Sequence, residues 1–345
     1  SFEQIVYDED RLVPTEDADG WVFNTDRPLK IVQLTDIHIA GGALSKGFDR
    51  AAINAVAAML TAEKPDLVVL TGDMVYPIPL QGGTLNNEVS TKLLIQLLET
   101  LGVYSTHTRD QIGDVWSSDE LEYSLFKKGP EDVVGVGNYI IKVKNSQGII
   151  KNALFCIDSN DYRKDYLLGI TGNYDNLHDN QIEWYRTKVT EIHSANTAIN
   201  PAEPMFTSLA FFHIPLEEFG IAWEEYKANG ADTEDVKYIE GEHRETTCSS
   251  PFADNFFETV LELGSTKAIF CGHDHINNGI IEYKGVKLVY GMSIDYIAYV
   301  TTAFIGYQRG CTVITVDGQE LEVSLENYYQ DKYESKYLKE FLAMN

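Results

Sequence analysis

Four short segments of this 345-residue chain carry side chains able to hold metal ions: Asp36-Ile37-His38, Gly72-Asp73, His213, and Gly272-His273-Asp274-His275. Carboxylate oxygen together with imidazole nitrogen suits borderline divalent metals such as Zn, Mn or Fe. Two ions about 3.5–4 Å apart need a ligand that bridges them, and a carboxylate can do this. Taken singly, each segment has an ordinary explanation. A strand-end Asp commonly caps a helix or a turn, and a histidine in an apolar run, such as His213, is commonly a satisfied core residue. Their shared position argues for chemistry, because every one follows an apolar run of strand type.

Those runs are Leu29-Lys30-Ile31-Val32-Gln33-Leu34, Leu67-Val68-Val69-Leu70, residues 208–212 and residues 267–271. Between the first two, Ile53, Val56, Ala57 and Leu60 recur at helical spacing and predict a helix over 48–63. Strand, helix and strand in that order read as a right-handed βαβ unit with a parallel sheet. Open α/β sheets place ligand sites just past the carboxyl ends of their strands, where the acidic segments fall. Further helices are expected at 91–101, 180–193, 252–263 and 331–342. Further strands are expected at 138–144, 152–157, 279–283, 287–290, 311–316 and 320–325, with a hairpin across Asn145-Ser146-Gln147-Gly148. Residues 216–250 are polar, acidic and aperiodic, and read as a long loop or lid. The fold class that follows is α/β, with two mixed β-sheets packed face to face and helices on the outer faces. An extended lead-in (1–28) precedes one domain (29–330), and a C-terminal helix (331–345) packs on it.

Composition narrows the function. With 27 Lys+Arg against 53 Asp+Glu the formal charge is −26, which repels nucleic-acid phosphates and excludes a basic nucleic-acid groove. An anionic substrate would be repelled too unless a local positive centre overrides the field, and bound metal ions supply one. Hydrophobic residues at 44% and charged residues at 23% exclude wholesale disorder. No apolar stretch approaches the roughly 18 residues that a membrane span requires. Cys156, Cys248, Cys271 and Cys311 are scattered without a CxxC pair, and Cys156 and Cys271 sit in apolar runs that predict buried free thiols. No basic start followed by an apolar core marks a signal peptide. The Ser1 start and acidic lead-in nonetheless point to an exported, extracytoplasmic chain rather than a cytoplasmic one. Nothing in the sequence signals an oligomeric state.

The order Asp-x-His, Gly-Asp, His, Gly-His-x-His resembles the calcineurin-like metallophosphoesterase superfamily, over residues 29–293. Within it the chain is most similar to the branch related to purple acid phosphatases. That likeness is carried by Gly172-Asn173-Tyr174-Asp175 with Gln181-Ile182-Glu183-Trp184-Tyr185, by Gly241-Glu242 with Cys248, and by Gly306-Tyr307 ahead of the strand at 311–316. The resemblance implies a four-layer metallophosphoesterase-like sandwich. It implies that Asp36, His38 and His275 bind one metal, that Asp73 bridges, and that His213 and His273 bind the second. The implied cofactors are two divalent or mixed-valence ions (Fe, Zn or Mn), with a bridging hydroxide that attacks phosphorus in line. The implied substrate is a small phosphate monoester or diester, nucleotides and lipid head groups included.

Two departures matter. The superfamily carries a Gly-Asn-His motif whose Asn binds the second metal and whose His contacts phosphate or protonates the leaving group. Gly137-Asn138-Tyr139 and Gly172-Asn173-Tyr174 keep only its first two letters, and after Leu101-Gly102-Val103 the chain passes directly to Thr106-His107-Thr108-Arg109-Asp110-Gln111. A missing internal segment, a natural trimming that leaves a weak or silent relative, or a stand-in such as His107, Asn86 or Asn87 would each account for this. Secondly, Gly72-Asp73-Met74-Val75-Tyr76 resembles the pattern in which the Tyr binds ferric iron, but those enzymes have Gly where His38 stands. Tyr76 is therefore expected as a wall residue on the substrate side. His243, beside Arg244 in the expected lid, is the other candidate substrate contact, with a plain surface position as its alternative. Tyr162, Tyr174 and Tyr296 are candidate pocket aromatics.

Overall fold

The computed structural model describes residues 2–76, 87–108, 120–163, 173–299, 309–337 and 339. Its strands form two mixed sheets. The smaller runs β14 (Glu320–Asn327), β13 (Gly310–Asp317), β3 (Leu29–Leu34), β4 (Leu67–Leu70) and β5 (Ser105–His107). The larger runs β1 (Thr15–Asp17), β2 (Gly20–Asn24), β6 (Tyr139–Lys144), β7 (Ile150–Cys156), β8 (Thr207–Phe211), β10 (Thr266–Cys271), β12 (Val286–Tyr290), β11 (Asn277–Tyr283) and β9 (Val236–His243). Helices α1 (Lys46–Glu63) and α2 (Asn87–Leu101) cover the smaller sheet, while α3 (Asp179–Ile199), α4 (Glu217–Asn229) and α5 (Phe256–Leu263) cover the larger.

Side-chain alternation explains the layering. Along β8 and β10, Leu209, Phe211, Ala268 and Phe270 face the smaller sheet, whereas Ala210, Ile269 and Cys271 face the α3–α5 layer. Both faces are apolar because both are covered, so these strands read as continuous runs rather than alternating ones. The result is the helix–sheet–sheet–helix sandwich that the pattern of elements predicts.

The unit that positions the first two acidic segments is the β3–α1–β4 crossover. β3 and β4 pair in parallel from Ile31↔Leu67 to Leu34↔Leu70. α1 stops where Lys64 turns left-handed, its N–H bonding Leu60 O at 2.9 Å, and Pro65 follows. Pairing continues beyond the strands: Thr71 N–H bonds Leu34 O (3.0 Å), Asp36 N–H bonds Gly72 O (3.1 Å) and His38 N–H bonds Asp73 O (3.0 Å). Likewise Gly272 N–H bonds His213 O (3.0 Å) just beyond the parallel β8–β10 ladder. The donors are thus held in register by backbone.

Three expectations are corrected. Residues 15–24 of the lead-in are not merely extended: they form β1 and β2, and β2 pairs in parallel with β6 from Gly20↔Ile140 to Asn24↔Lys144. Buried Val22 and Phe23 drive this, in a stretch too short and too acidic in its surroundings to show a period. Residues 216–250 are not a structureless lid, since they build α4 and the edge strand β9. α4 buries little beyond Phe219 and Ala222, and β9 is half-exposed, so neither shows a strong apolar stripe. No helix forms over 331–337; the segment turns, and buried Tyr333 donates to Glu63 Oε1 (2.6 Å). Of the rest of that expected helix, all but residue 339 lies outside the described residues. The hairpin across Asn145 is present, closed by Asn145 N–H to Ile149 O at 2.9 Å. All four cysteines are free, with Cys156 and Cys271 buried as expected. Among the described residues no helix is long and apolar enough to cross a membrane.

Candidate metal centre

The six donors from distant parts of the chain meet where the carboxyl ends of the two sheets adjoin. Asp36, His38, Asp73 and His275 form one group and Asp73, His213 and His273 a second, with all donor atoms in each group within 4.8 Å of one another. Asp73 belongs to both. In the first group His38 Nε2 lies 3.1 Å from His275 Nε2, and Asp36 Oδ1 lies 3.5 Å from His275 Nε2 and 3.9 Å from His38 Nε2. In the second, His213 Nε2 lies 3.3 Å from Asp73 Oδ1 and 3.2 Å from His273 Nδ1.

Tight turning brings them there. Asp36 (φ 50°), His38 (φ 54°), Asp73 (φ 46°) and His273 (φ 76°) all adopt the left-handed backbone conformation. Each such residue costs of order 1–3 kcal/mol and persists only where its surroundings over-determine it. The two glycines serve the same close approach. A Cβ on Gly72 (φ 105°) would lie 2.5 Å from the His213 ring, and one on Gly272 would lie 1.9 Å from Thr35 Oγ1.

Whether a cation fits is tested by the carboxylate of Asp36. Its Oδ2 accepts from Thr35 Oγ1 (2.7 Å) and from His273 N–H (3.1 Å), while Oδ1 is buried and accepts no hydrogen bond. A buried, unsatisfied carboxylate oxygen is costly, and it faces two imidazole nitrogens that themselves face each other. A cation held by Asp36, His38 and His275 would resolve both problems. His213 Nδ1 sits 2.8 Å from Thr71 O and donates to it, which leaves Nε2 as the lone-pair side toward Asp73. His275 Nδ1 lies 3.1 Å from Asp295 Oδ2, and Asp295 is itself buried. Burial alone would depress the His275 pKa, but the Asp295 bond and the charges of Asp36, Asp295 and Asp73 outweigh it and raise it to about 9. Burial likewise opposes ionisation of Asp295, yet the His275 bond and the charges of His38 and His275 hold its carboxyl well below the usual range.

The remaining candidates separate. Tyr76 is buried with its ring edge-on to His38 (centroids 5.6 Å apart, 85°), so it walls the first group. Tyr174 stands edge-on to His273 (4.6 Å, 89°) and stacks on half-exposed Tyr162 (4.9 Å, 22°). Tyr296 is buried beneath the Arg309 guanidinium, 3.8 Å from the ring centroid. His243 joins neither group: it stacks on Trp223 (4.9 Å, 14°), and its Nε2 lies 3.1 Å from Thr247 Oγ1. Burial and then the Lys227 charge push its pKa down to about 4. Tyr290 OH links that hydroxyl (3.2 Å) to Asp274 Oδ2 (2.6 Å), so His243 reaches the Gly272–His275 segment only through intermediaries. His107 is buried at the end of β5 and stacked on Phe126 (3.9 Å, 9°), and it too joins neither group. Asn87 opens α2. Asn86, Arg109 to Gln111, Gly172 and Gly306-Tyr307 lie outside the described residues.

Comparison with known proteins decides the family. The profile of the Calcineurin-like phosphoesterase family matches residues 29–277, which include all six donors. This chain belongs to the calcineurin-like phosphoesterase family. It is 28% identical to the Probable inactive purple acid phosphatase 29 of Arabidopsis thaliana over 324 residues, covering 86% of this chain and 78% of that protein. It is 26% identical to the Probable inactive purple acid phosphatase 14 of the same plant, covering 85% and 76%. It is 29% identical to the Phosphatase DCR2 of Saccharomyces cerevisiae over 280 residues, covering 72% of this chain and 44% of that protein. Among solved structures, a dimetal phosphatase from Danio rerio shares the fold with a TM-score of 0.53 and 11% identity, covering 88% of this chain and 98% of its own. The expected likeness to the purple acid phosphatase-related branch therefore stands.

In this calcineurin-like phosphoesterase the residue that sequence reasoning missed is Asp295. It lies after β12, four residues past Gly291, and carries no motif spacing. The signal that could have found it is positional: another apolar run, Lys287 to Tyr290, followed shortly by a carboxylate.

Proposed function

We propose that this chain hydrolyses phosphate esters at a pair of metal ions, the first held by Asp36, His38, Asp73 and His275 and the second by Asp73, His213 and His273. The observation that carries this reading is the convergence of six O and N donors into two groups that share one carboxylate. When bound, such cations supply positive charge to phosphoryl oxygens and activate water as the nucleophile. The chain's own contribution is to fix the donors. Asp36 is pinned through Oδ2, His213 through Thr71 O and His275 through Asp295, so little reorganisation accompanies binding. Tyr76 and Tyr174 border the two groups and narrow the approach of water and substrate. The ligand set is carboxylate and imidazole in a chain of formal charge −26, so attraction for an anionic ester comes from the cations themselves. The substrate class is a small phosphorylated molecule, monoester or diester.

A second reading has its own support: a metal-binding relative that is catalytically weak or silent. Gly-Asn-His is absent from the sequence, and two of the similar Arabidopsis proteins are named as probable inactive. One experiment separates the two. Metal content is measured with turnover of p-nitrophenyl phosphate and its bis ester, in wild type and Asp73→Asn. Hydrolysis with about two metals per chain, lost by at least about 10²-fold in the variant, supports the enzyme. Bound metal without turnover in the wild type supports the silent relative.

A further inference from the structure

Asp295 lies outside the region that matches the family profile, and its carboxylate is saturated. Oδ1 accepts from Ile297 N–H (3.0 Å) and Ala298 N–H (2.7 Å), and Oδ2 accepts from Tyr299 N–H (2.8 Å) and faces His275 Nδ1 (3.1 Å). The residue is 2% exposed, and its own N–H bonds Asp36 O at 2.8 Å, which ties it to the first acidic segment. With both oxygens in use it is not itself a ligand. A turn cap requires the bonds to 297–299 but not the bond to an imidazole. That fourth bond has a chemical consequence: a carboxylate can only accept, so it holds a proton on His275 Nδ1, and the nitrogen that would give up its proton to a cation is Nε2, which faces Asp36 and His38. His38 has no comparable partner, since its Nδ1 is buried without a hydrogen bond. The same turn sets Tyr299 against the His275 ring, with centroids 4.5 Å apart.

We infer that Asp295 is the positioning residue of the first metal group, fixing the tautomer and orientation of His275. This rests on the two-metal reading above. It is tested by Zn²⁺ titration against a chromophoric chelator, with Asp295→Asn and Asp295→Ala beside the wild type and metal-free melting curves recorded for each. An Asn can keep its oxygen toward Ile297 and Ala298 at the loss of the Tyr299 bond alone, but it then presents N–H₂ to His275, which favours the tautomer that blocks Nε2. Tyr299→Pro, which removes that same turn bond and leaves the carboxylate, is the control expected to keep near wild-type Zn²⁺ affinity. The expected result is that one of two binding steps weakens about 10–100-fold in both variants, while the other changes less than about threefold. Asp295→Asn decides the matter if Asp295→Ala fails to fold. Wild-type affinity in the Asn variant, with loss confined to the Ala variant, would mean a turn cap and overturn the inference. A folded wild-type chain that binds no Zn²⁺ would instead remove the metal centre itself, and this role with it.

Discussion

Gly72→Ala is a one-carbon probe of how tightly the second donor group is built. Gly72 holds φ 105°, and an added Cβ would meet His213 Cγ and Nδ1 at 2.5 Å and its Cβ at 2.8 Å. That ring is fully buried and tied to Thr71 O at 2.8 Å, so it has no open side into which to swing. A strained backbone residue costs about 1–3 kcal/mol, and overpacking a filled site costs about 1–3 kcal/mol more. The sum, about 2–6 kcal/mol, is a large share of the 5–15 kcal/mol by which domains are typically stable. Relief requires His213 to move by about an ångström, which breaks its 3.2–3.3 Å spacing to His273 and Asp73. Chemical denaturation should therefore show reduced stability, and metal titration should show one binding step weakened. Gly47→Ala is the control. It lies in the first turn of α1 with nothing within 4 Å of its added Cβ, so it should be neutral or stabilising by up to about 1 kcal/mol. A Gly72→Ala protein within about 0.5 kcal/mol of wild type and with unchanged metal binding would refute the packing argument.

Two further outcomes concern pH and metal. Burial, reinforced by the charges of Asp254, Glu258 and Glu217, outweighs the bond from its own N–H and raises the Glu218 pKa to about 7 from its ordinary value of 4.5. The folded state thus disfavours the ionised form, and stability present at pH 4–5 is lost as pH rises through 7. At about 1.4 kcal/mol per unit, discounted for partial solvent screening, the loss is about 1–2 kcal/mol. Melting temperature should fall between pH 5 and pH 8 and fall less in Glu218→Gln; identical profiles would contradict this. Half-buried Asp254, whose partial desolvation pushes its pKa up to about 6, acts with the same sign. Secondly, Zn²⁺ at about a hundred times its dissociation constant should stabilise the folded chain by about 2.7 kcal/mol. Calorimetry with and without a chelator checks this, and coincident melting curves would count against the metal centre.

Much of the site was legible because its donors follow buried strands, whose continuous apolar runs end abruptly in Asp or His. Asp36, His38, Asp73, His213, His273 and His275 all share that signature, and parallel pairing converts it into proximity. Asp295 lacked it, because a turn separates it from β12 and its role comes from where that turn folds back. The sandwich was legible for the same reason as the donors. By contrast, α4 and β9 sit at the periphery, bury few residues and carry the acidic surface, so their periods are faint. β2 owes its structure to pairing with β6, a strand more than a hundred residues away that no local window contains, and β1 is only the short hairpin partner of β2. His243 sat in a polar context that suggested substrate contact. It stacks instead on Trp223 of α4, an element whose period is faint, and its Nε2 faces the nearby Thr247 hydroxyl, so the ring is spoken for by packing.

The left-handed conformations at Asp36, His38, Asp73 and His273 also bear on how such a protein drifts. Wherever a side chain sits in a conformation that glycine tolerates freely, removing that side chain relaxes the polypeptide. A glycine at His38 would forfeit a donor and yet relieve local strain. Loss of such a side chain is then partly offset by released backbone strain, so a relative that no longer holds metal can keep a sound scaffold.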